Sequence, residues 1–363
     1  VPISQRLIGG AHSGRTVLIV EPNVSGHRLY YVALLVRNCA SAGDRVVIAT
    51  SPGASTADEW KVHLSDIVHG SVTVITTRKF ELEAIAQLAH NVRSSITVIP
   101  DGDRHVLQVL KRGWHGHGDL SLLAMRPDAQ PTGSAARMLI TGHAKKLLIM
   151  AADRRRKTQV SALRSPLVNR TWPISWVADP VAVINDDDAR KSVRKKLSSG
   201  AGLYWVGVVG SITPRKNLDI VARAVLATPG AGLAIAGSVE ASVERDNAVL
   251  LNALRDSGRL VRWPGTVGDA EFDAIIHEVD CIVAAHSNEG PSGIVGKAAI
   301  VGTPLVLAGA SSLRKDARSL HGRARWCSLN ERGIAAGILA SQGSRHAPLD
   351  LNAGVELFVR KLT

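Results

Sequence analysis

Short runs of β-branched and aliphatic residues recur along this chain, each followed by a stretch of helical composition. TVLIVE (16–21), RVVIAT (45–50), SVTVIT (71–76), SITVIPD (95–101) and LSLLAM (120–125) read as strands. RLYYVALLVRNCASA (28–42) reads as a helix that stops at Gly43, a residue type suited to a left-handed C-terminal position. A second helix is predicted from about Glu81 to Val92, and a long basic helical region over about 134–163. The alternation halts in RTWPISWVADPVAVINDDDARK (170–191), which has two prolines, two tryptophans and an acidic cluster suited to a helix N-terminus. It then restarts. YWVGVVG (204–210), GLAIAG (232–237), LVRWPG (260–265), CIVAA (281–285) and PLVLAG (304–309) read as strands. LDIVARAVLA (218–227), a segment at roughly 240–256, DAEFDAIIHEV (269–279) and SGIVGKAAIVG (292–302) read as the helices between them.

Two such units in tandem predict an α/β protein with two doubly wound parallel sheets. The expected domains are 1–178 and 179–345, with a C-terminal helix in 346–363 packing back on the first. A length of 363 residues suits two domains. Apolar residues make up 45% and aromatics 4%, so the cores must be aliphatic, as buried parallel sheets require.

Charge adds a question about partners. The net charge of +13 is concentrated early: 22 Lys and Arg against 12 Asp and Glu in 1–178. Between Arg137 and Arg170 nine basic residues meet a single acid, Asp153. Such a surface favours nucleic acid, anionic lipid or a phosphorylated substrate, and it is equally what a solvated helix face carries. The stretch lacks interleaved aromatics or any nucleic-acid-binding module pattern, so peripheral contact of 137–170 with a membrane is the partner retained. Cys39, Cys281 and Cys327 stand far apart, which implies neither a disulfide framework nor a zinc site and fits a reducing compartment. No leader pattern opens the residues given, and the longest apolar stretch, 293–310, is interrupted by Lys297 and Pro304. The expected location is the cytoplasm, peripheral to the inner face of the membrane. GWHGHG (113–118) spaces two histidines without a third ligand, so no metal is expected there.

Ligands of open parallel sheets sit beyond the carboxyl ends of the strands, which directs attention to the loops there. GSITPRKNLDIV (210–221) puts Arg215 and Lys216 immediately before a helix, where free backbone N–H groups already attract anions. HSNEGPSGIVGK (286–297) places Ser292 as N-cap, so that the N–H groups of Gly293, Ile294 and Val295 are expected to point at a ligand. Gly290 and Gly293 permit close backbone approach. Glu289 at that mouth can accept hydrogen bonds from sugar hydroxyls; it can also be a plain loop acid near a helix start. Lys297, on an otherwise apolar helix, needs either solvent or an anion.

The series strand–GSITPRKNLDIV, LAIAG, VRWPGTVGDAEF and HSNEGPSGIVGKAAIVGTPLV resembles the C-terminal domain of family 4 glycosyltransferases. The resemblance covers about 204–310 and, less fully, 16–50. It implies the GT-B fold, two Rossmann-like domains facing across a cleft, with a nucleotide sugar on the second domain and an acceptor on the first. Its implied activity is retaining, metal-independent sugar transfer from a nucleotide-diphosphate donor, with no further cofactor, to an acceptor it does not identify; the basic stretch 137–170 would suit an anionic or lipid-linked one. By resemblance, Lys216 neutralises the donor diphosphate and Glu289 contacts the donor sugar as the first acid of an E-x7-E signature. Gly290 to Val295 form the turn around the phosphates, Val267 lies by the base, and Gly26 approaches the phosphates from the first loop. Some relatives have a histidine near the reacting centre at the end of the fourth strand, where this chain offers Asp101 and Asp103 with His105 beyond. Asp103 and His27 are the candidates for that centre, although an Asp in such a strand-end turn is more often a turn residue.

Two positions depart from the family pattern. Ser211 stands where an arginine is usual, with Arg215 four residues later as a substitute. Lys297 stands where the second acid, a ribose ligand, is usual, and a lysine cannot accept hydrogen bonds as a carboxylate does. Either the ribose is held differently, or Lys297 faces phosphate, or the chain is a GT-B-like binding or accessory protein without ordinary donor binding.

Overall fold

The computed structural model describes residues 14–24, 28–128, 135–168, 172–200, 202–351 and 354–363. The first sheet and its helices run β1 (Thr16–Val20), α1 (Arg28–Ser41), β2 (Arg45–Thr50), α2 (Asp58–His63), β3 (Val72–Thr76), α3 (Leu82–Val92), β4 (Ile96–Ile99), α4 (Val106–Arg112), β5 (Asp119–Ala124), α5 (Ala135–Asp153), β6 (Thr158–Arg164) and β7 (Ser175–Ala178). The second series runs α6 (Asp187–Leu197), β8 (Tyr204–Val209), α7 (Leu218–Leu226), β9 (Ala231–Gly237), α8 (Ala241–Asp246), α9 (Ala248–Asp256), β10 (Leu260–Pro264), α10 (Asp269–Glu278) and β11 (Cys281–His286). It ends with α11 (Gly293–Val301), β12 (Leu305–Gly309), α12 (Ser311–Ser319), β13 (Ala324–Cys327), α13 (Glu331–Ser341) and α14 (Gly354–Leu362).

Seven strands form one sheet in the order β3-β2-β1-β4-β5-β6-β7, and six form another in the order β10-β9-β8-β11-β12-β13. Each order reverses once, between β1 and β4 and between β8 and β11, which is the signature of doubly wound sheets. In β8, Trp205 and Val209 enter one apolar cluster while Val206 and Val208 enter another, so this strand is buried on both faces. That double burial is why parallel strands read as continuous aliphatic runs rather than as alternation.

Several elements differ from expectation. The basic helix stops at Asp153, and 158–164 is a strand, because Asp153 Oδ1 accepts from the Val160 N–H (2.7 Å) and turns the chain back. The helix at 240–256 is two, broken at Asn247, whose side chain donates to the Val243 carbonyl. The chain divides into two compact units: Val1–Leu122 with Arg154–Gln159 and Leu362–Thr363, and Leu123–Asp153 with Val160–Lys361. The sheets themselves change over between Ala178 and Tyr204. At the C-terminus, Arg15 donates to the Thr363 carbonyl (2.6 Å) in the first unit, while most of α14 belongs to the second. No helix among the described residues is long and apolar enough to cross a membrane.

Candidate functional site

The reversal between β8 and β11 gathers the loops that follow those strands. After β8 the chain passes Gly210 at φ 87° and makes one tight turn, Pro214–Lys216. It enters α7 through Asn217, held left-handed at φ 48°. Asparagine is among the few side chains that tolerate this conformation, because it bonds locally. Here its amide donates to the carbonyls of Arg215 (3.1 Å) and of Ala285 (2.7 Å), at the end of β11. The Ser287 N–H donates to the Arg215 carbonyl in turn (2.9 Å). The two loops are thereby stitched together.

That turn folds Lys216 back beneath the sheet's end. It is 5% exposed and lines a small cavity with Val209, Ala285, His286 and Ile294. Its ammonium donates to the Val209 carbonyl (2.5 Å), its one hydrogen bond among the described residues, which leaves two of three donors for a ligand. Burial, with a smaller push from the Arg215 charge, holds the ammonium down at about 7. Arg215 itself is exposed and donates to Asn288 Oδ1 (3.2 Å). A methyl group at Gly210 would lie 3.2 Å from the Lys216 nitrogen, so the missing side chain gives the lysine its room.

After β11 the loop presents Glu289, half-buried, then Gly290 at φ 150° and Ser292, the N-cap of α11. Glu289 is not a plain loop acid. Its Oε1 accepts from the Ser311 N–H (2.7 Å) and its Oε2 from the Ser312 N–H (2.8 Å), so the carboxylate caps α12 from a distant loop. Those bonds use two of about four acceptor positions on a carboxylate. Ser292 is N-cap by position, but its side chain makes no capping bond. Of the three amides expected to point at a ligand, that of Val295 is turned inward, donating to the Ser292 carbonyl (3.1 Å). Gly293 and Ile294 keep the first-turn amides that a helix leaves without intrahelical partners. Val267, in the loop after β10, is partly buried against the apolar core.

Lys297 is placed differently from expectation. Its ammonium donates to Oδ1 of Asp273 on α10 (2.5 Å) and to the Ala182 carbonyl (2.7 Å), while Asp273 Oδ2 accepts from the Ile184 N–H (2.8 Å). The anion that this cation required is a protein carboxylate, and the expectation that Lys297 binds the donor, facing its phosphate, is corrected accordingly. Burial pushes the Asp273 carboxyl up, and Lys297 opposes that shift. One residue earlier, a methyl group at Gly296 would meet Val181 at 2.8 Å, so α11 carries a glycine where segment 181–184 lies against it.

In the first unit Asp103 is half-buried in the turn after β4. Asp101 there accepts from Arg28 Nε (2.7 Å). His105 is buried, taking a bond from Arg104 at Nε2 (3.0 Å) and facing Gln108 through Nδ1 (3.1 Å); burial lowers its pKa. Gly26 and His27 lie outside the described residues. Residue-by-residue reading missed Glu21, the residue directly after β1, whose signal was a carboxylate closing an aliphatic strand. It is 1% exposed, and burial pushes its carboxyl up to about 7. The histidines of 113–118 bond carbonyl oxygens, His115 that of Arg112 (2.7 Å) and His117 that of Ser94 (2.9 Å). No group of three or more His, Cys, Asp or Glu among the described residues is arranged to hold a metal ion.

No protein-family model matches the chain, and no curated protein matches it in sequence. Solved structures match it in fold. HepE from Anabaena, in complex with UDP and glucose, superposes with a TM-score of 0.63 at 13% identity, covering 96% of this chain and 95% of its own. Sucrose-phosphate synthase from Thermosynechococcus elongatus gives 0.63 at 13% identity, over 96% and 94%. WaaG, a glycosyltransferase involved in lipopolysaccharide biosynthesis, gives 0.57 at 13% identity, over 95% and 94%. The likeness at such identities is one of fold: two Rossmann-like parallel sheets in one chain, the GT-B fold.

Proposed function

We propose that this chain is a retaining glycosyltransferase that moves a sugar from a nucleotide-diphosphate donor to an acceptor hydroxyl. The observation that carries this reading is Lys216: a buried ammonium with donors to spare, at the strand-order reversal of the six-stranded sheet. A diphosphate seated there would raise the lysine's proton affinity and take hydrogen bonds from it, from Arg215, and from the amides of Gly293 and Ile294. The likeness in fold to a protein solved with UDP and glucose supports the donor class.

In the reaction, the bond from sugar C1 to the phosphate oxygen breaks and its electrons leave with the diphosphate. The acceptor oxygen bonds C1 on the same face, and its proton passes to the departing phosphate. Positioning and stabilisation of the leaving charge then supply most of the acceleration. Glu289 is the carboxylate placed to read a sugar hydroxyl while it caps α12. The family resemblance supports a reaction that needs no metal.

The acceptor we propose is lipid-linked and met at a membrane surface. Its support is α5, where Ile140, Leu147 and Leu148 are 70%, 50% and 36% exposed, at spacings that set them on one helix face. Lys145 and Lys146 on the same helix are occupied by the Arg126 carbonyl and Asp128, so the outward face is more apolar than its sequence charge suggests.

Calorimetry with UDP, GDP and dTDP tests the donor reading. One nucleotide should bind the wild-type chain and fail to bind a folded Lys216→Ala variant, which should also lose transfer. Unchanged nucleotide binding in that variant would refute the assignment.

A further inference from the structure

Charge along the carboxyl rim of the six-stranded sheet follows the strand order. At one edge, the helices after β9 and β10 open on acids: Glu240 before α8, Asp269 and Glu271 in the first turn of α10. At the other edge, the helices after β12 and β13 present Arg314, Lys315, Arg318 and Arg332, all exposed. The loops after β8 and β11, which carry Lys216 and Glu289, lie between them.

The cations are concentrated in one place. Residues 179–363 hold 22 Lys and Arg against 19 Asp and Glu, and 311–332 alone hold six against two, which leaves 16 against 17 elsewhere. Of those two acids, Asp316 is buried. The helical period of α12 turns Leu313, Asp316 and Ala317 inward and leaves Arg314, Lys315 and Arg318 on the outer face. Arg314 lies over the Trp326 ring (6.0 Å), and no ion pair among the described residues joins these three cations or Arg332 to an acid.

This face begins at the candidate site. Ser311, the first residue of α12, donates its N–H to Glu289 Oε1 (2.7 Å). At the helical rise, Arg314, Lys315 and Arg318 stand about 5–10 Å further along the axis. That is comparable to the Debye length of about 8 Å at physiological salt, so their charge reaches the site without contact.

We infer that the outer face of α12, with Arg332, is a capture surface for a nucleoside diphosphate sugar. It draws the dianion to the loops after β8 and β11 and turns its phosphates away from the acidic edge. The identity of the anion rests on the glycosyl-transfer reading. A field that acts before contact speeds association and leaves dissociation nearly unchanged.

The test is stopped-flow association of methylanthraniloyl-labelled UDP, GDP and dTDP with the full chain at about 20 and about 500 mM salt. One variant carries Arg314→Gln, Lys315→Gln and Arg318→Gln. A control carries Lys191→Gln, Lys195→Gln and Arg255→Gln, the same loss of charge on α6 and α9. All six positions are exposed, so neither set disturbs the core. For the nucleotide that binds, the first variant should associate about tenfold more slowly than wild type at low salt and equally fast at high salt. Its dissociation rate should match wild type, and the control should associate nearly as fast as wild type. An unaltered association rate in the first variant would overturn the inference, as would equal slowing in the control. So would a change confined to dissociation, which would make these cations direct ligands. If no nucleotide binds, the nucleotide-sugar reading falls as well, whereas binding at an unaltered rate removes the capture surface alone.

Discussion

The Lys297 ammonium lies 2.5 Å from Oδ1 of Asp273, a carboxylate whose side chain is fully buried. The pair joins α11 to α10, and through the Ala182 carbonyl and Ile184 amide it fixes the segment leading into α6. Removing one member strands the other, at a typical cost of about 3–5 kcal/mol, whereas removing both charges is far milder. Lys297→Met should therefore lose about that much stability in urea unfolding, and Lys297→Met with Asp273→Asn should regain most of it. Calorimetry should find nucleotide affinity little changed in the double variant; a large loss would return Lys297 to the ligand site.

Lys216 makes binding and folding respond to pH in opposite senses. In the free protein its ammonium loses its proton near pH 7, so above that pH a diphosphate must recruit a proton as it binds. Nucleotide affinity should fall about tenfold per pH unit above neutrality, with proton uptake visible as a buffer-dependent heat. The stability of the ligand-free chain should rise between about pH 7 and 10.5, because there the unfolded lysine holds a proton that the folded one has released. Lys216→Met should abolish both slopes.

Glu289 carries a structural duty that can be measured without any ligand. Its two bonds to the Ser311 and Ser312 amides cap α12, and loss of a cap costs about 0.5–2 kcal/mol. Glu289→Ala should lower the melting temperature of the free protein, and Glu289→Gln, which keeps one acceptor oxygen, should lower it less. Equal melting temperatures for all three proteins would show that the cap contributes nothing.

The apolar face of α5 yields a prediction about membranes. Sedimentation with anionic liposomes should recover the wild-type chain and recover much less of a variant carrying Ile140→Ser, Leu147→Ser and Leu148→Ser. Equal recovery of both would remove α5 from any membrane contact.

The strand–helix alternation was legible because buried parallel strands are aliphatic on both faces: 204–210 and 281–285 were read, against Tyr204–Val209 and Cys281–His286 in the structure. Strand β6 was not, since only the basic run 154–157 separates TQVSALR from α5 and the turn there depends on the Asp153 side chain. Within the candidate site, the turn at Arg215–Lys216 and the start of α11 after Ser292 could be placed from local spacing alone. The role of Lys297 could not, because its partner Asp273 is 24 residues away on another helix. Glu289 was hidden for the same reason: the amides it caps lie 22 and 23 residues further on. Long-range pairing of side chains leaves no periodic trace.

The left-handed Asn217 has a practical bearing on chimaeras. Because its amide spans the carbonyls of Arg215 and Ala285, and Ser287 answers back to Arg215, neither loop keeps its shape alone. A graft of 211–217 from a relative would carry one half of a lock into a chain still holding the other half. Residues 211–217 and 285–288 are thus a single exchangeable cassette, and any swap has to transplant them together.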